Sequence, residues 1–204
     1  MSHLLQVRDL AYQTPDHRPL IERLSFDLNL GDLLVITGPN GIGKSTLLQI
    51  LLGQARQAQG TIGWQLPMSR VGFLSQLHNR EFHISLTLAD IVSFANAVEP
   101  GLIQERSHGL LHASQLNLAW NTASGGERQK TLLTRVFLKD PSVLILDEPM
   151  NHLDAISRQQ LLTALRHFIA DGQHAVIMVG HESSWDPLEW NPHRTIDLKG
   201  YVVP

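Results

Sequence analysis

Gly38-Pro39-Asn40-Gly41-Ile42-Gly43-Lys44-Ser45-Thr46 has the spacing G-x-x-x-x-G-K-[ST], which wraps backbone around phosphate. The glycines let N–H groups converge on an anion, and a helix start adds positive dipole. Lys44 then neutralises β- and γ-phosphate oxygens, and the Ser45 hydroxyl can ligate Mg²⁺. A second candidate is the acidic pair Asp147-Glu148, which follows the apolar run Val143–Leu146. Ligands of open parallel sheets gather at the carboxyl ends of strands, so Asp147 there would hold Mg²⁺ and Glu148 would polarise an attacking water. Such a pair alone is most often a solvated turn; beside a phosphate loop it becomes a candidate metal ligand and general base.

Ser124-Gly125-Gly126-Glu127 reads two ways. As a capping box, the Ser124 hydroxyl accepts from the Glu127 N–H while the Glu127 carboxylate accepts from the Ser124 N–H, stabilising a helix by about 1 kcal/mol. Two glycines in a first helical turn cost stability that a cap does not require. They suit close approach of bare N–H groups to an anion, and a second anion-binding helix start so far along the chain calls for a dimer or a folded-back partner.

These groups need elements to hold them. Short apolar runs recur with helical patterns between them, as in strands and crossover helices of a mainly parallel α/β sheet. Leu33–Thr37 reads as the buried strand before the phosphate loop, Lys44–Leu52 as the helix after it, and Val143–Asp147 and Ala175–Gly180 as further buried strands. Helices are expected from about Gly125 to Leu138 and from Ala155 to Ala170. Before Asn29 the pattern alternates instead, through Leu24, Phe26, Leu28 and Leu30, which suggests half-buried antiparallel strands. Thr61–Trp64 and Arg70–Leu74 read as further strands. Between Gln76 and Ser124 strand signals vanish; helices are expected over Thr87–Ala97 and Leu102–Ala113. A terminal hairpin is expected around Thr195–Leu198 and Tyr201–Val203. One domain over 1–204 follows, with 1–76 and 124–204 as core plus N-terminal β-subdomain and 77–123 as an inserted helical subdomain.

Composition agrees with a globular chain: 204 residues, 43% hydrophobic and 17% charged, enough for one sizeable core. The absence of cysteine excludes thiol catalysis, disulfides and cysteine-held metal centres. A net charge of −3 gives no case for nucleic acid as a partner. No apolar run approaches the length of a membrane span, so any membrane role falls to another chain.

Taken in order, the motifs resemble the nucleotide-binding subunit of ATP-binding-cassette (ABC) transporters along nearly the whole chain. Gly38–Thr46 matches the Walker A loop, Gln76 the Q-loop, Ser124–Glu127 the signature, and Val143–Glu148 the Walker B strand with its catalytic glutamate. Asn151-His152-Leu153-Asp154 matches the D-loop, His181 the switch histidine, and Tyr12 the aromatic that stacks on adenine. Ala123, Met150 and Glu182 depart from the common residues without removing a catalytic group.

The resemblance implies ATP and Mg²⁺, with Ser45, Gln76 and Asp147 around the metal, and two copies packed head to tail. Each ATP would lie between the Walker A loop of one copy (Gly38, Asn40, Gly41, Gly43, Lys44, Ser45, Thr46) and the signature of the other (Ser124, Gly125, Gly126, Glu127), with Asp154 nearby. Glu148 would be the general base, His181 would contact the γ-phosphate, and Gln76 would link the site to the helical subdomain. The implied setting is the inner face of the cell membrane, on an integral permease, with a periplasmic binding protein as a possible partner of an importer. Phe82–Asp90 and Asp147–Asn151 resemble importers of metal ions and metal chelates. A compact haem-export type and a non-transport ATPase of the same superfamily stand as alternatives. A P-loop kinase would have no use for Ser124–Glu127 or His181. His108 and His112, four apart on an expected helix, could bind metal but lack an evident third ligand, and a surface or structural role is expected.

Overall fold

The structure is a computed structural model that describes residues 3–13, 19–75, 85–93, 98–151, 153–180 and 194–202. Two sheets carry the architecture. The first is antiparallel, with strand order β2-β1-β4: β1 His3–Gln13, β2 Pro19–Asn29 and β4 Gln59–Trp64. Alternation dictates it, since Leu24, Phe26 and Leu28 all point into the core. Leu30 falls beyond β2 and is exposed at the turn.

The second sheet has order β5-β6-β7-β3-β8, and every pairing is parallel: β3 Leu33–Thr37, β5 Val71–Leu74, β6 Val143–Asp147, β7 Ala175–Val179 and β8 Arg194–Asp197. The three central strands are continuous apolar runs, buried throughout because both faces are covered. On one face pack α1 (Lys44–Leu51) and the antiparallel sheet; on the other, α4 (Gly125–Phe137) and α5 (Ala155–Ile169). Burying each large aliphatic side chain is worth about 1.5–3 kcal/mol, so both layers are anchored through these strands.

The chain end departs from the expected hairpin. Arg194–Asp197 adds in parallel to the edge at β3, a 3-10 turn follows over Leu198–Tyr201, and Val202 bridges to Ile21. Alternating residues at a chain end do not specify a partner, and the open edge of β3 is the one they meet.

The segment before α4 has its own apolar cluster: Leu88, Ile91, Val92, Ile103, Leu111, Leu116, Trp120 and Ala123. Of the helix expected over Thr87–Ala97, α2 covers Leu88–Ser93 and residues 94–97 lie outside the described set. The second helix, α3, spans Pro100–Arg106 and ends well before Ala113. His108 at φ 50° and Gly109 at φ 83° are left-handed, which ends any continuing helix. His108 and His112 therefore share no helix; His108 packs edge-on to Phe137, ring centroids 4.7 Å apart, while His112 starts a separate 3-10 turn. Among the described residues no cluster of metal-ligating side chains occurs, and no helix is long and apolar enough to cross a membrane.

Candidate functional site

Register brings the two chemical candidates to one edge. Ile36 on β3 and Asp147 on β6 both align with Val179 of the strand between them, so the phosphate loop and the acidic pair leave the sheet at one level. Two backbone bonds close that edge: the Glu148 N–H donates to the Val179 carbonyl (3.0 Å) and the Gly180 N–H to the Ile36 carbonyl (3.1 Å).

The loop itself is wound by left-handed glycines, with φ of 78° at Gly41 and 106° at Gly43. Gly43 is also the residue before α1, and a side chain there would meet the Tyr12 ring at 3.0 Å. No side chain caps α1 among the described residues, and Lys44-Ser45-Thr46 brings no acid to its first turn. Lys44 is 5% exposed; its ammonium donates to the carbonyls of Gly38 (2.8 Å) and Pro39 (3.0 Å) and lies 3.9 Å from Glu148 Oε1. Burial lowers its pKa, opposed by the charges of Glu148 and Asp147. Ser45 and Asn40 are exposed and Thr46 half-buried, so the loop's polar groups face solvent around a buried cation.

Glu148 has φ 49°, a left-handed conformation costly for a residue with a side chain. Its neighbours hold it there. The Asn151 N–H donates to the Glu148 carbonyl at 3.2 Å, and Asn151 Nδ2 donates to Glu148 Oε2 at 2.5 Å. Gln129, 4% exposed on α4, donates from Nε2 to the Pro149 carbonyl at 3.2 Å. Asp147, 7% exposed, and the Ser45 hydroxyl offer hard oxygen donors of the kind Mg²⁺ takes. That donor set at the end of β6 and the start of α1 fits the metal.

Ser124–Glu127 forms a complete capping box. The Ser124 N–H donates to Glu127 Oε2 (2.8 Å), and the Glu127 N–H donates to Ser124 Oγ (3.2 Å). The Ser124 backbone donor, reinforced by its hydroxyl, holds the Glu127 carboxyl below its ordinary pKa. Gly126 has a further reason for lacking a side chain: a Cβ there would stand 2.9 Å from Ser157 Oγ at the start of α5. That start is capped by Asp154, whose Oδ1 accepts from the Ser157 N–H at 2.6 Å. Gly126 thus sits against Ser157 and Leu153, at the start of α5 that Asp154 caps.

Sequence and structure agree unevenly here. Lys44, Asp147 and Glu148 come together as expected. Gln76, His152 and His181 lie outside the described residues. Tyr12 is 1% exposed and lies against the loop, its hydroxyl donating to the Gly43 carbonyl at 3.1 Å. The apolar alternation that makes β1 half-buried turns it inward. Gln129 was not foreseen, although a glutamine on the inner stripe of an amphipathic helix is itself the signal of a buried polar contact.

With known proteins, residues 21–151 match the family model described as ABC transporter. The chain is 32% identical over 194 residues to the protein named Probable ATP-binding protein YbiT of Escherichia coli O157:H7, an alignment covering 91% of this chain and 36% of YbiT. It is 31% identical over 182 residues to the Zinc import ATP-binding protein ZnuC of Photorhabdus laumondii subsp. laumondii, covering 89% of this chain and 70% of ZnuC. The chain thus spans about a third of the one relative and about two thirds of the other. The fold superposes with a TM-score of 0.82 on the ADP conformation of MJ1267, an ATP-binding cassette of an ABC transporter, covering 100% of this chain and 90% of that one at 15% identity.

Proposed function

The chain belongs to the ABC transporter family, and from that premise we propose that it is the ATP-binding and ATP-hydrolysing subunit of a metal importer, working through a separate membrane permease. The observation that carries the reading is the buried Lys44 ammonium 3.9 Å from Glu148, at the rim of a glycine-wound loop that leads into a helix capped by no side chain among the described residues. Such a rim receives a polyphosphate on N–H donors and one fixed cation, and sets a carboxylate beside it. Metal as the cargo is supported by the similarity to ZnuC, a zinc import protein by its name.

In this reading Gly38, Asn40, Gly41, Gly43 and Thr46 line the phosphates, and Lys44 exchanges its bonds to the Gly38 and Pro39 carbonyls for phosphate oxygens. Ser45 and Asp147, with Gln76, hold Mg²⁺, which when bound offsets charge on the β- and γ-phosphates. Glu148 takes the proton of the attacking water, oriented by Asn151, and His181 steadies the γ-phosphate. Ser124, Gly125 and Gly126 donate to the nucleotide of a second copy packed head to tail, with Glu127 and Asp154 fixing the two helix starts. Loss of the γ-phosphate removes that anchor and lets the copies part.

In this reading the subdomain expected over 77–123 is the part that meets the permease. Its own apolar cluster supports treating it as a unit. Ties link it to the core: Arg106 donates to Asp140 (2.9 Å), and Arg128 donates to the carbonyls of Trp120 and Asn121. The implied place is the cytoplasmic face of the membrane, with a periplasmic substrate-binding protein completing the importer.

Phosphate release and equilibrium ATP binding test the chemistry. Glu148→Gln should keep ATP binding while lowering turnover about 10²–10⁴-fold, the span of a general base; near-normal turnover overturns it. The similarity to YbiT, whose name speaks of ATP binding and not of transport, is compatible with a second reading, an ATPase acting without a permease. Purification from membranes separates them, because only the importer subunit is retained by a multi-span protein.

A further inference from the structure

We propose that Gln129 is a positioning residue that ties the start of α4 to the turn carrying Glu148, so that the placement of the Ser124–Glu127 group sets the alignment of the carboxylate. This rests on the reading of Glu148 as the base.

Three observations converge. Gln129 is 4% exposed, a depth at which an amide must be bonded, and its Nε2 donates across 20 residues of chain to the Pro149 carbonyl. Pro149 follows Glu148, whose left-handed backbone persists only if its surroundings hold it. As a proline, Pro149 has no N–H with which to fix the turn, so its carbonyl is its one polar backbone handle. Among the described residues, other holds on Glu148 come from β7, through the Val179 carbonyl, from Asn151 and from the Lys44 ammonium. Gln129 is the hold that comes from α4.

Its place on α4 gives that bond a use. Gln129 lies two residues, about half a turn, beyond Glu127 on the same helix as the capping box, while Thr131 Oγ1 donates to the Glu127 carbonyl at 2.7 Å. A displacement of the α4 start therefore reaches the Pro149 carbonyl through one side chain. Gly126 is already pressed against Ser157, which limits motion of that start toward α5. When the α4 start engages a nucleotide held by the second copy, the tie places Glu148 over the nucleotide in its own copy. Occupancy of one site thereby sets the other.

The test compares wild type, Gln129→Met and Glu148→Gln for ATP affinity, kcat, KM, the Hill coefficient for ATP, and amide exchange over 148–153. Methionine matches glutamine in length and keeps the helix, but has no donor. Gln129→Met should hold ATP affinity and KM within about threefold while kcat falls about 10–100-fold, the cost of a carboxylate misplaced by an ångström or less, and the Hill coefficient should drop toward 1. Exchange at the Asn151 and Leu153 amides should rise at least about tenfold, with α4 keeping its protection. Unchanged exchange at those amides overturns the proposal, as does a uniform loss of protection across α4, which marks a merely structural role. The two readings fail separately. Hydrolysis insensitive to Glu148→Gln removes the base, whereas normal kcat and cooperativity in Gln129→Met beside an inactive Glu148→Gln removes only the tie.

Discussion

The two glycine-marked helix starts solve the same problem in opposite ways. At α1 the residue before the helix is Gly43, no side chain caps it among the described residues, and the nearest charge is the buried ammonium of Lys44. At α4 the residue before the helix is Ser124, and Glu127 completes a reciprocal box that satisfies donors on both sides. An isolated α1 start is incomplete, with N–H groups and a cation all turned toward one place. An isolated α4 start is finished, and only Gly125 and Gly126 remain as bare backbone. The first is built to take an anion alone. The second is stable without one, which suits a group that meets its anion only when another copy brings it.

The largest effect expected from that difference is at Lys44. Lys44→Ala removes the cation from the unfinished start and should lower ATP turnover by at least about 10²–10³-fold, the cost of one preorganised electrostatic donor, with ATP affinity falling too. Calorimetric titration and phosphate release read both. Retained affinity would show that α1 binds phosphate through backbone alone and would bring the two starts closer in kind.

Next is Gly43→Ala. Its φ of 106° excludes a side chain by conformation, and the added Cβ would stand 3.0 Å from the Tyr12 ring, which cannot retreat because its hydroxyl is bonded to the same residue's carbonyl. A loss of about 1–3 kcal/mol is expected from the backbone strain, readable by urea unfolding, with weaker ATP binding alongside. Unaltered stability would mean that the loop relaxes freely and that the glycine serves only the ligand.

Why one start was more legible than the other follows from how each is specified. The phosphate loop depends on consecutive residues whose backbone demands only glycine meets, so Gly38–Lys44 can be read directly from the chain. The buried strands β3, β6 and β7 were legible for a related reason, since four or five apolar residues in a row have few other uses. Tyr12 was not: whether an aromatic at a strand end turns to solvent or inward depends on the facing layer, here Gly43 and the α1 start. Gln129 and Asn151 act through partners fixed only when α4 packs beside the end of β6. The parallel placement of β8 and the early end of α3, before the left-handed His108, were likewise decided by a vacant sheet edge and by backbone conformation, neither of which leaves a periodic trace.

The smallest effect separates the charge of the finished start from its hydrogen bonds. Glu127→Gln keeps an acceptor for the Ser124 N–H and removes the negative charge from the first turn of α4. The Glu127 carboxyl is held below its ordinary pKa by the Ser124 backbone and hydroxyl donors. A carboxyl depressed in the folded state stabilises fully above its unfolded pKa, and that contribution is lost as pH falls through the folded value. Wild type should therefore exceed the variant by a few tenths of a kcal/mol at neutral pH, small because the group is largely solvated. The gap should close as pH drops below about 4, the ordinary carboxylate range. The other depressed carboxyls, Asp140 and Asp154 among them, are common to both proteins and cancel in the difference. Urea midpoints of the pair from neutral to acid pH measure it. A gap that stays constant into acid would place the stabilisation in the geometry of the box alone and leave its charge for the phosphate chemistry of the second copy.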